Sequence, residues 1–219
     1  MFKKIVLTAF SVAALAGASL ANAAYFDFQG WIAVNGEQGF DNSAPFSLTE
    51  DGLTLTATAI EAPTGADSHV YMDDLYNGII GGMGVCSVLV GDQCNPSSDD
   101  NVSIDGGNEE ILTWNLSQNI TEVTLELGNT DHFDYANNDI YYRYDSGLWT
   151  LATSDADALL TLTLDGSSNI IEFKAVSDSF DNHFYIRNAD ITVVPVPAAV
   201  WLFASGLLGL VAVARRRTS

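Results

Sequence analysis

Basic residues and cysteine are scarce in this sequence. Its 219 residues include eight lysines and arginines against 28 aspartates and glutamates, with only three histidines and two cysteines. So few cations cannot neutralise a phosphate backbone, which excludes nucleic acid as a partner. The histidines stand singly, and the sequence has neither a Gly-x-Ser-x-Gly turn nor a phosphate-binding glycine loop. It therefore carries no recognisable catalytic motif.

Long apolar runs are confined to the two ends of the chain. Lys3 and Lys4 precede the apolar run 5–20, and Ala21-Asn22-Ala23 has the small-x-small pattern of a cleavage site. A basic start, an apolar stretch and such a site together describe a secretory signal peptide. We therefore predict a signal peptide over residues 1–23 and an exported chain.

The second apolar run covers 17 residues, 198–214, and leads directly into Arg215, Arg216 and Arg217. A helix of this length is about 25 Å long, which is the short end of what spans a bilayer. Arginines that follow a span stay on the cytoplasmic side. The run predicts one C-terminal transmembrane helix, with the preceding residues outside the inner membrane.

The segment 195–219 resembles the PEP-CTERM sorting signal of Gram-negative bacteria. The resemblance rests on a Pro-containing motif, a short apolar helix and a terminal arginine cluster, and the motif residues are Val194, Pro195, Val196, Pro197 and Ala198. It implies that an exosortase cuts the transiently anchored chain near this motif and releases it to the cell surface or the medium. Val196 stands where the name-giving motif has Glu, so the match is to the VPxPA-type variant. The alternative is a permanent tail anchor.

The intervening region, residues 24–194, is long enough for one domain. Its only basic residues are Arg143, Lys174 and Arg187, and it holds all 28 acids, so its net charge is 3 − 28 = −25. Such a surface repels anionic lipid and nucleic acid and favours divalent cations. Carboxylates that merely keep an exported protein soluble are the alternative explanation.

Apolar residues in this domain recur with a period of two, as at Leu53, Leu55, Ala57 and Ala59. Alternation of this kind predicts strands, and no sustained helical stripe is present. We therefore predict an all-β fold, a two-sheet antiparallel sandwich of jelly-roll type, with turns at 50–52, 77–78 and 165–166. The predicted strands are 25–34, 53–60, 69–72, 112–116, 120–127, 140–144, 148–153, 159–164, 170–176 and 184–193.

The stretch from Gly81 to Asn108 is the longest that we predict to be irregular, and it contains Cys86 and Cys94. Export places both cysteines in an oxidising compartment, and their spacing does not match a Cys-x-x-Cys site. A Cys86–Cys94 disulfide is predicted.

The same stretch ends in an acidic run that is a candidate Ca²⁺ site. Ca²⁺ takes six to eight oxygen ligands on adaptable loops, and the candidate ligands are Asp99, Asn101, Asp105 and Glu110. An EF-hand is excluded because Ile104 stands where its tight turn needs Gly. A solvated acidic loop is the alternative.

A second cluster combines acids and aromatics, which is the chemistry that sugar recognition needs. Its candidate ligand-binding residues are Asp131, Asp134, Asp139 and Tyr141. An ordinary sheet edge has the same composition.

Three functions are consistent with these patterns. The favoured one is an exported, non-catalytic protein of the cell surface or extracellular matrix, with an exosortase-type enzyme, the inner membrane and exopolysaccharide as partners. A Ca²⁺- or carbohydrate-binding module is the first alternative. A secreted polysaccharide-active enzyme is the second, because two suitably spaced carboxylates suffice for glycoside hydrolysis.

Overall fold

Strands dominate the part of the chain that the computed structural model describes. The described residues are 23–76, 78–97, 100–105, 107–177, 179 and 182–194, and for 67, 75, 76 and 105 only the backbone is described. All of them belong to one unit that runs from Ala21 to Val194. The signal peptide up to residue 22, the sorting motif from residue 195 and the apolar run 198–214 lie outside the described residues.

One helix and sixteen strands occur in these described segments. They are, in chain order, β1 (Ala23–Asp27), α1 (Phe28–Asn35), β2 (Gln38–Phe40), β3 (Phe46–Glu50), β4 (Leu53–Ala62), β5 (Ala66–Tyr76), β6 (Ile79–Cys86), β7 (Leu89–Val90), β8 (Gln93–Cys94), β9 (Ile104–Asp105), β10 (Asn108–Leu116), β11 (Ile120–Asn129), β12 (Asp139–Tyr144), β13 (Thr150–Thr153), β14 (Leu159–Thr163), β15 (Ile170–Ala175) and β16 (Phe184–Val193).

Antiparallel pairing joins fourteen of these strands into one large sheet. Its order is β13-β12-β15-β10-β4-β5-β6-β16-β11-β14, with β1 on β16, β2 on β5, β3 on β4 and β9 on β10. A small second sheet pairs β7 with β8. Strand β5 connects the two halves of the large sheet, because residues 66–68 pair with β4 whereas the residues from His69 onward pair with β6. The all-β prediction is confirmed at this level.

The alternating pattern of β4 decides which of its faces is buried. Leu53, Leu55, Ala57 and Ala59 are at most 2% exposed, and the residues between them are partly exposed. Side chains two residues apart share one face of a strand, so the period of two in the sequence becomes one apolar face.

Trp114 of β10 lies at the centre of the core and links the two halves of the sheet. Its indole is fully buried, with ring centroids 5.7 Å from Phe28 and 5.0 Å from Phe173. Its Nε1 donates to Sδ of Met83 in β6, at 3.2 Å. Because its N–H has a partner, the indole can be buried completely.

The predicted strand 25–34 is wrong beyond Asp27, because the chain turns there into α1. The Asp27 carboxylate accepts from the Gly30 amide at 2.6 Å and so caps the helix. Phe28 and Ile32, one turn apart, are both buried. Gly36 ends the helix with φ of 80°, and its amide donates to the Ile32 carbonyl. Local capping therefore overrides the apolar pattern that favoured a strand.

The prediction of an irregular stretch from Gly81 is also wrong, because 79–86 form β6, an internal strand of the large sheet. Its glycines allow close approach of other backbone. A Cβ on Gly84 would lie 2.0 Å from the Asp100 carbonyl oxygen, and one on Gly82 would lie 2.6 Å from the Ile186 oxygen. These glycines are thus required by packing within a strand, and only the residues after Cys86 are largely irregular.

Turn chemistry agrees with the predictions wherever it is described. Asp51 and Gly52, between β3 and β4, both have positive φ, at 48° and 81°. A two-residue hairpin turn of type I′ needs this pair of angles. Gly78 and Gly166 also have positive φ, whereas residue 77 lies outside the described part.

The predicted disulfide is confirmed. Cys86 at the end of β6 and Cys94 in β8 are bonded, with their Cα atoms 5.8 Å apart, and Tyr71 and Leu89 pack against them. The bond closes the loop that contains β7 and β8.

Removing this bond will destabilise the domain. On the chain-entropy model, a nine-residue loop contributes about 2.5 kcal/mol to the free energy of unfolding, so the double variant Cys86→Ala/Cys94→Ala should lose about that much in a urea titration. Dithiothreitol should lower the stability of the wild type and leave that of the double variant unchanged. Equal urea midpoints for the two oxidised proteins would contradict the prediction.

Candidate functional site

Each of the three basic side chains in the domain is paired with a carboxylate. Arg143 binds Glu172 through two nitrogens, at 2.5 and 2.7 Å. Lys174 Nζ lies 2.7 Å from Glu109 Oε2. Arg187 Nη1 lies 2.7 Å from Asp134 Oδ1. The cations are therefore already neutralised within the fold, and the remaining acids outnumber them greatly.

The candidate Ca²⁺ ligands are only partly described. Asp99 lies outside the described residues, and only the backbone of Asp105 is described, within β9. Glu110 is 1% exposed and accepts from the amide and hydroxyl of Ser103, at 2.9 and 2.8 Å. Asn101 is 3% exposed and its Nδ2 donates to Asp100 Oδ1 at 3.4 Å. The buried Glu110 carboxylate is therefore already bonded to Ser103, at the other end of the 103–110 segment.

In the described part of the chain, no group of three or more His, Cys, Asp or Glu residues is placed to hold a metal ion. Asp99 and the side chain of Asp105 are not among the residues to which this applies. Calcium binding by the acidic run therefore stays a prediction.

The acidic and aromatic cluster forms a loop that is closed by its own hydrogen bonds. Asn129 Oδ1 accepts from the amides of Asp131 and Phe133, at 3.0 and 2.9 Å. Asp134 pairs with Arg187 of β16. The Asp134 end of the loop is thus held against β16, and its carboxylate is already paired with Arg187.

The other two candidate ligand residues lie on β12. Asp139 Oδ1 accepts from Thr153 Oγ1 at 2.5 Å, across to β13. The Tyr141 ring lies 5.4 Å from Lys174 Nζ. The four predicted residues are thus divided between the 129–135 loop, which carries Asp131 and Asp134, and β12, which carries Asp139 and Tyr141.

His132, at the bend of the 129–135 loop, enters a buried polar network. Its Nε2 lies 2.5 Å from Asp73 Oδ2, and its Nδ1 lies 2.8 Å from the Ile79 carbonyl oxygen. The ring packs edge-on against Tyr185, with centroids 5.2 Å apart. Burial alone would lower the pKa of His132, but the hydrogen bonds to Asp73 and Ile79 raise it above its ordinary value.

Tyr185 connects this histidine to a second carboxylate. Its hydroxyl donates to Asp100 and also interacts with Asp73, and burial raises the pKa of Tyr185 well above its ordinary value. Burial, reinforced by the negative charge of Asp73, raises the pKa of Asp100 to about 6. We call Asp73, Asp100, His132 and Tyr185 the buried network. Asp73, His132 and Tyr185 are at most 7% exposed, and Asp100 is partly exposed.

Arg187 anchors the loop that carries His132. Arg187 is 4% exposed, and its Nη2 donates to the His132 carbonyl oxygen. Gly128 makes room for it, because a Cβ there would lie 2.6 Å from Arg187 Nε. The arginine thus satisfies a buried carbonyl as well as the exposed Asp134.

Sequence reasoning missed the buried network. Asp73, Asp100, His132 and Tyr185 come from four separate stretches, and no spacing rule connects them. The one local signal in the sequence is His132 itself, a histidine in an acidic stretch that follows Asp131 directly.

An aromatic and charged patch lies where β12 and β15 pair. The Trp149 ring centroid lies 4.6 Å from the Arg143 guanidinium and 4.8 Å from Lys174 Nζ. Leu148 and Leu151 beside it are 92% and 50% exposed. We call Tyr141, Arg143, Trp149, Lys174 and Leu151 the Trp149 surface.

An open cleft of about 430 Å³ adjoins this surface. It shares Arg143 with the Trp149 surface, and its other lining residues include Tyr142, Tyr144, Leu148 and Asp165. Tyr144 is already engaged, since its hydroxyl accepts from the Ser168 amide at 2.7 Å. The cleft therefore combines two tyrosines with aliphatic and threonine side chains and the exposed carboxylate of Asp165.

Val194, the first residue of the predicted sorting motif, is the last described residue. Its amide donates to the Asn119 carbonyl at 2.9 Å, directly after β16. Within the described residues, no helix is long and apolar enough to cross a membrane. Comparison with models of known protein families gave no match, and comparison with curated proteins gave none either.

Proposed function

We propose that this chain is an exported, non-catalytic protein of the cell surface or extracellular matrix. A cleavable signal peptide carries it across the inner membrane, and the segment 195–219 anchors it there. An exosortase-type enzyme then cuts near Pro195 and Pro197 and releases the domain.

The observation that carries this proposal is the Cys86–Cys94 disulfide. Both cysteines of the chain are in this bond, and it closes a loop beside the core. Structural disulfides persist in oxidising compartments and are rare in a reducing cytosol. The bond therefore favours a protein that folds outside the cytoplasm, which agrees with the signal peptide expected from residues 1–23.

The charge of the domain supports a role outside the cell. Arg143, Lys174 and Arg187 are all paired within the fold, so uncompensated acids dominate the surface. Such a surface keeps an exported protein soluble and repels anionic lipid. It also favours divalent cations, so Ca²⁺ remains the cofactor that we would test first.

We further propose that the two halves of the large sheet are the layers of a jelly-roll-like sandwich. The Trp114–Met83 hydrogen bond, which joins β10 to β6 through the core, supports this arrangement. The switch of β5 from one half to the other would be a corner of the sandwich. A rigid domain of this kind suits a structural or binding role.

Mass spectrometry of the protein released by its host will test the route of export. We expect an N-terminus at Ala24 and a C-terminus near Pro195, because the signal peptidase and the exosortase remove the two ends. Replacing Arg215, Arg216 and Arg217 by alanine should leave the N-terminus unchanged and make the uncleaved chain accumulate. Detection of Thr218 in the released protein would contradict exosortase processing.

A further inference from the structure

We propose that the Trp149 surface binds a neutral polysaccharide, with the indole as the platform on which a sugar ring stacks. Neither the sorting segment nor the export route enters this inference. It rests on the geometry, exposure and charge of one face of β13, β12 and β15.

Strand register places the residues of this surface on one face of the sheet. Tyr141 lies opposite Leu151 of β13 on one side and opposite Lys174 of β15 on the other. Arg143 lies opposite Glu172. Directly opposed residues of antiparallel strands point to the same side, so these side chains form a continuous patch.

The indole of Trp149 is held in position across this patch. Arg143 and Lys174 each contact it at less than 5 Å from the ring centroid, and both cations are themselves fixed by carboxylates, Glu172 and Glu109. Cation–π contacts of this kind stabilise one orientation of the ring. A ring that is already ordered loses little entropy when a ligand stacks on it.

Exposed leucines flank Trp149 in the chain. Leu148 is 92% exposed and Leu151 is 50% exposed, while most large apolar side chains of the described domain are in its core. A hydroxyl-binding group lies near them. Glu172 accepts from two nitrogens of Arg143, whose side chain is 27% exposed, and a guanidinium carries five N–H donors, so others are left for a ligand.

A pyranose is complementary to this surface, because it has C–H groups on one face and hydroxyls around its edge. The aromatic ring and the leucines would cover the C–H face. The remaining N–H groups of Arg143 would donate to hydroxyls. The adjoining cleft of about 430 Å³ gives a chain of sugars room to continue past Leu148.

Charge selects a neutral glycan over an acidic one. Arg143 and Lys174 are balanced by Glu172 and Glu109, so the patch carries no net charge, whereas the sequence 24–194 as a whole carries −25. A polyuronate would be repelled by the rest of the domain and would find no uncompensated cation here. A neutral chain avoids that repulsion.

Binding of the protein purified from its host, cleaved or uncleaved, to polysaccharides tests the proposal. The neutral probes are cellulose, xylan, mixed-linkage β-glucan and dextran, and the acidic probe is alginate. We measure pull-down on the insoluble probes and affinity electrophoresis or calorimetry on the soluble ones. At least one neutral probe should bind, and alginate should bind more weakly.

The variant Trp149→Ala should weaken that binding by about tenfold or more, as expected when a central aromatic anchor is lost. Phe133→Ala removes an aromatic side chain that is 53% exposed and lies outside the surface, so it is the matched control and should bind as the wild type does. Trp149→Phe keeps a smaller platform and should bind with intermediate affinity. Thermal melts of all variants establish that they are folded.

Three results would overturn the proposal. They are no binding to any neutral probe, unchanged binding by Trp149→Ala, and preferential binding of alginate. Light scattering on the same samples could give a fourth such result. If the wild type is a dimer and Trp149→Ala is a monomer, the surface serves self-association. Each of these results leaves the export route as it was, so failure here is distinguishable from failure of the proposed processing.

Discussion

Replacing Arg187 by methionine will lower the free energy of unfolding by about 3 kcal/mol. The variant loses a charged hydrogen bond to the buried His132 carbonyl and leaves that oxygen unsatisfied, and each effect costs about 1–3 kcal/mol. The full 3–5 kcal/mol for breaking a buried ion pair does not apply, because the partner carboxylates, Asp134 and Glu126, are 69% and 36% exposed. Urea titration at neutral pH measures the loss.

The variant Asp134→Asn is the matched control for this experiment. It removes the charge of the exposed partner and keeps the guanidinium on the His132 carbonyl. Exposed ion pairs contribute about 0–1 kcal/mol, so its effect should be small. If Asp134→Asn costs as much as Arg187→Met, the contribution of Arg187 comes from the exposed pair, and its role as an anchor of the loop is refuted.

Replacing Asp100 by asparagine will stabilise the protein at neutral pH. Folding raises the pKa of Asp100 from 3.8 to about 6, so ionising this carboxyl in the native state costs up to about 3 kcal/mol above pH 6. Asparagine never ionises, and it keeps an oxygen that can accept from Tyr185. The gain should therefore approach that value at pH 7 and vanish below about pH 4.

The pH dependence has the opposite sign to that of a salt-bridged carboxylate. Between pH 4 and 6 the native state holds the Asp100 proton that the unfolded state has released, so the stability of the wild type falls as pH rises. The pKa of His132 is also raised, so its contribution is present below its unfolded value of 6.5 and is lost as pH rises through the native value. Both groups make the domain less stable in alkaline solution.

Urea titrations from pH 4 to 8 test this expectation. Asp157→Asn removes an equal charge at an exposed turn and serves as the control, because it reports the effect of lowering the overall negative charge. Parallel pH profiles for Asp100→Asn and Asp157→Asn would show that Asp100 titrates as an ordinary exposed carboxyl, and would contradict the prediction.

Local patterns predicted the strands well where burial alternates. In β4 the apolar period of two corresponds directly to the buried face, and the Asp51-Gly52 turn has the positive φ angles that its residues favour. The same reasoning failed at 28–34 and at 81–86. The helix α1 depends on its cap at Asp27. The glycines of β6 are explained by the backbone that packs against them, and the local sequence does not show that contact.

The candidate sites show a similar division. Glu110 is a reasonable cation ligand by residue type, yet its oxygens accept hydrogen bonds from Ser103 and Ser87. Trp149 is half-buried, and nothing near it in the sequence indicated that Arg143 and Lys174 lie against its ring. The order of the strands decides which carboxylate each basic side chain reaches.

The sequence by itself determined the alternating faces of the strands, the excess of acids over three cations and the pairing of the only two cysteines. These follow from residues close in the chain or from composition, so no knowledge of the fold is needed. Only the tertiary structure decided that Asp73, Asp100, His132 and Tyr185 meet, and that Trp149 covers two ion pairs. Those contacts join distant segments, and the order and register of the strands that create them come from packing of the whole core.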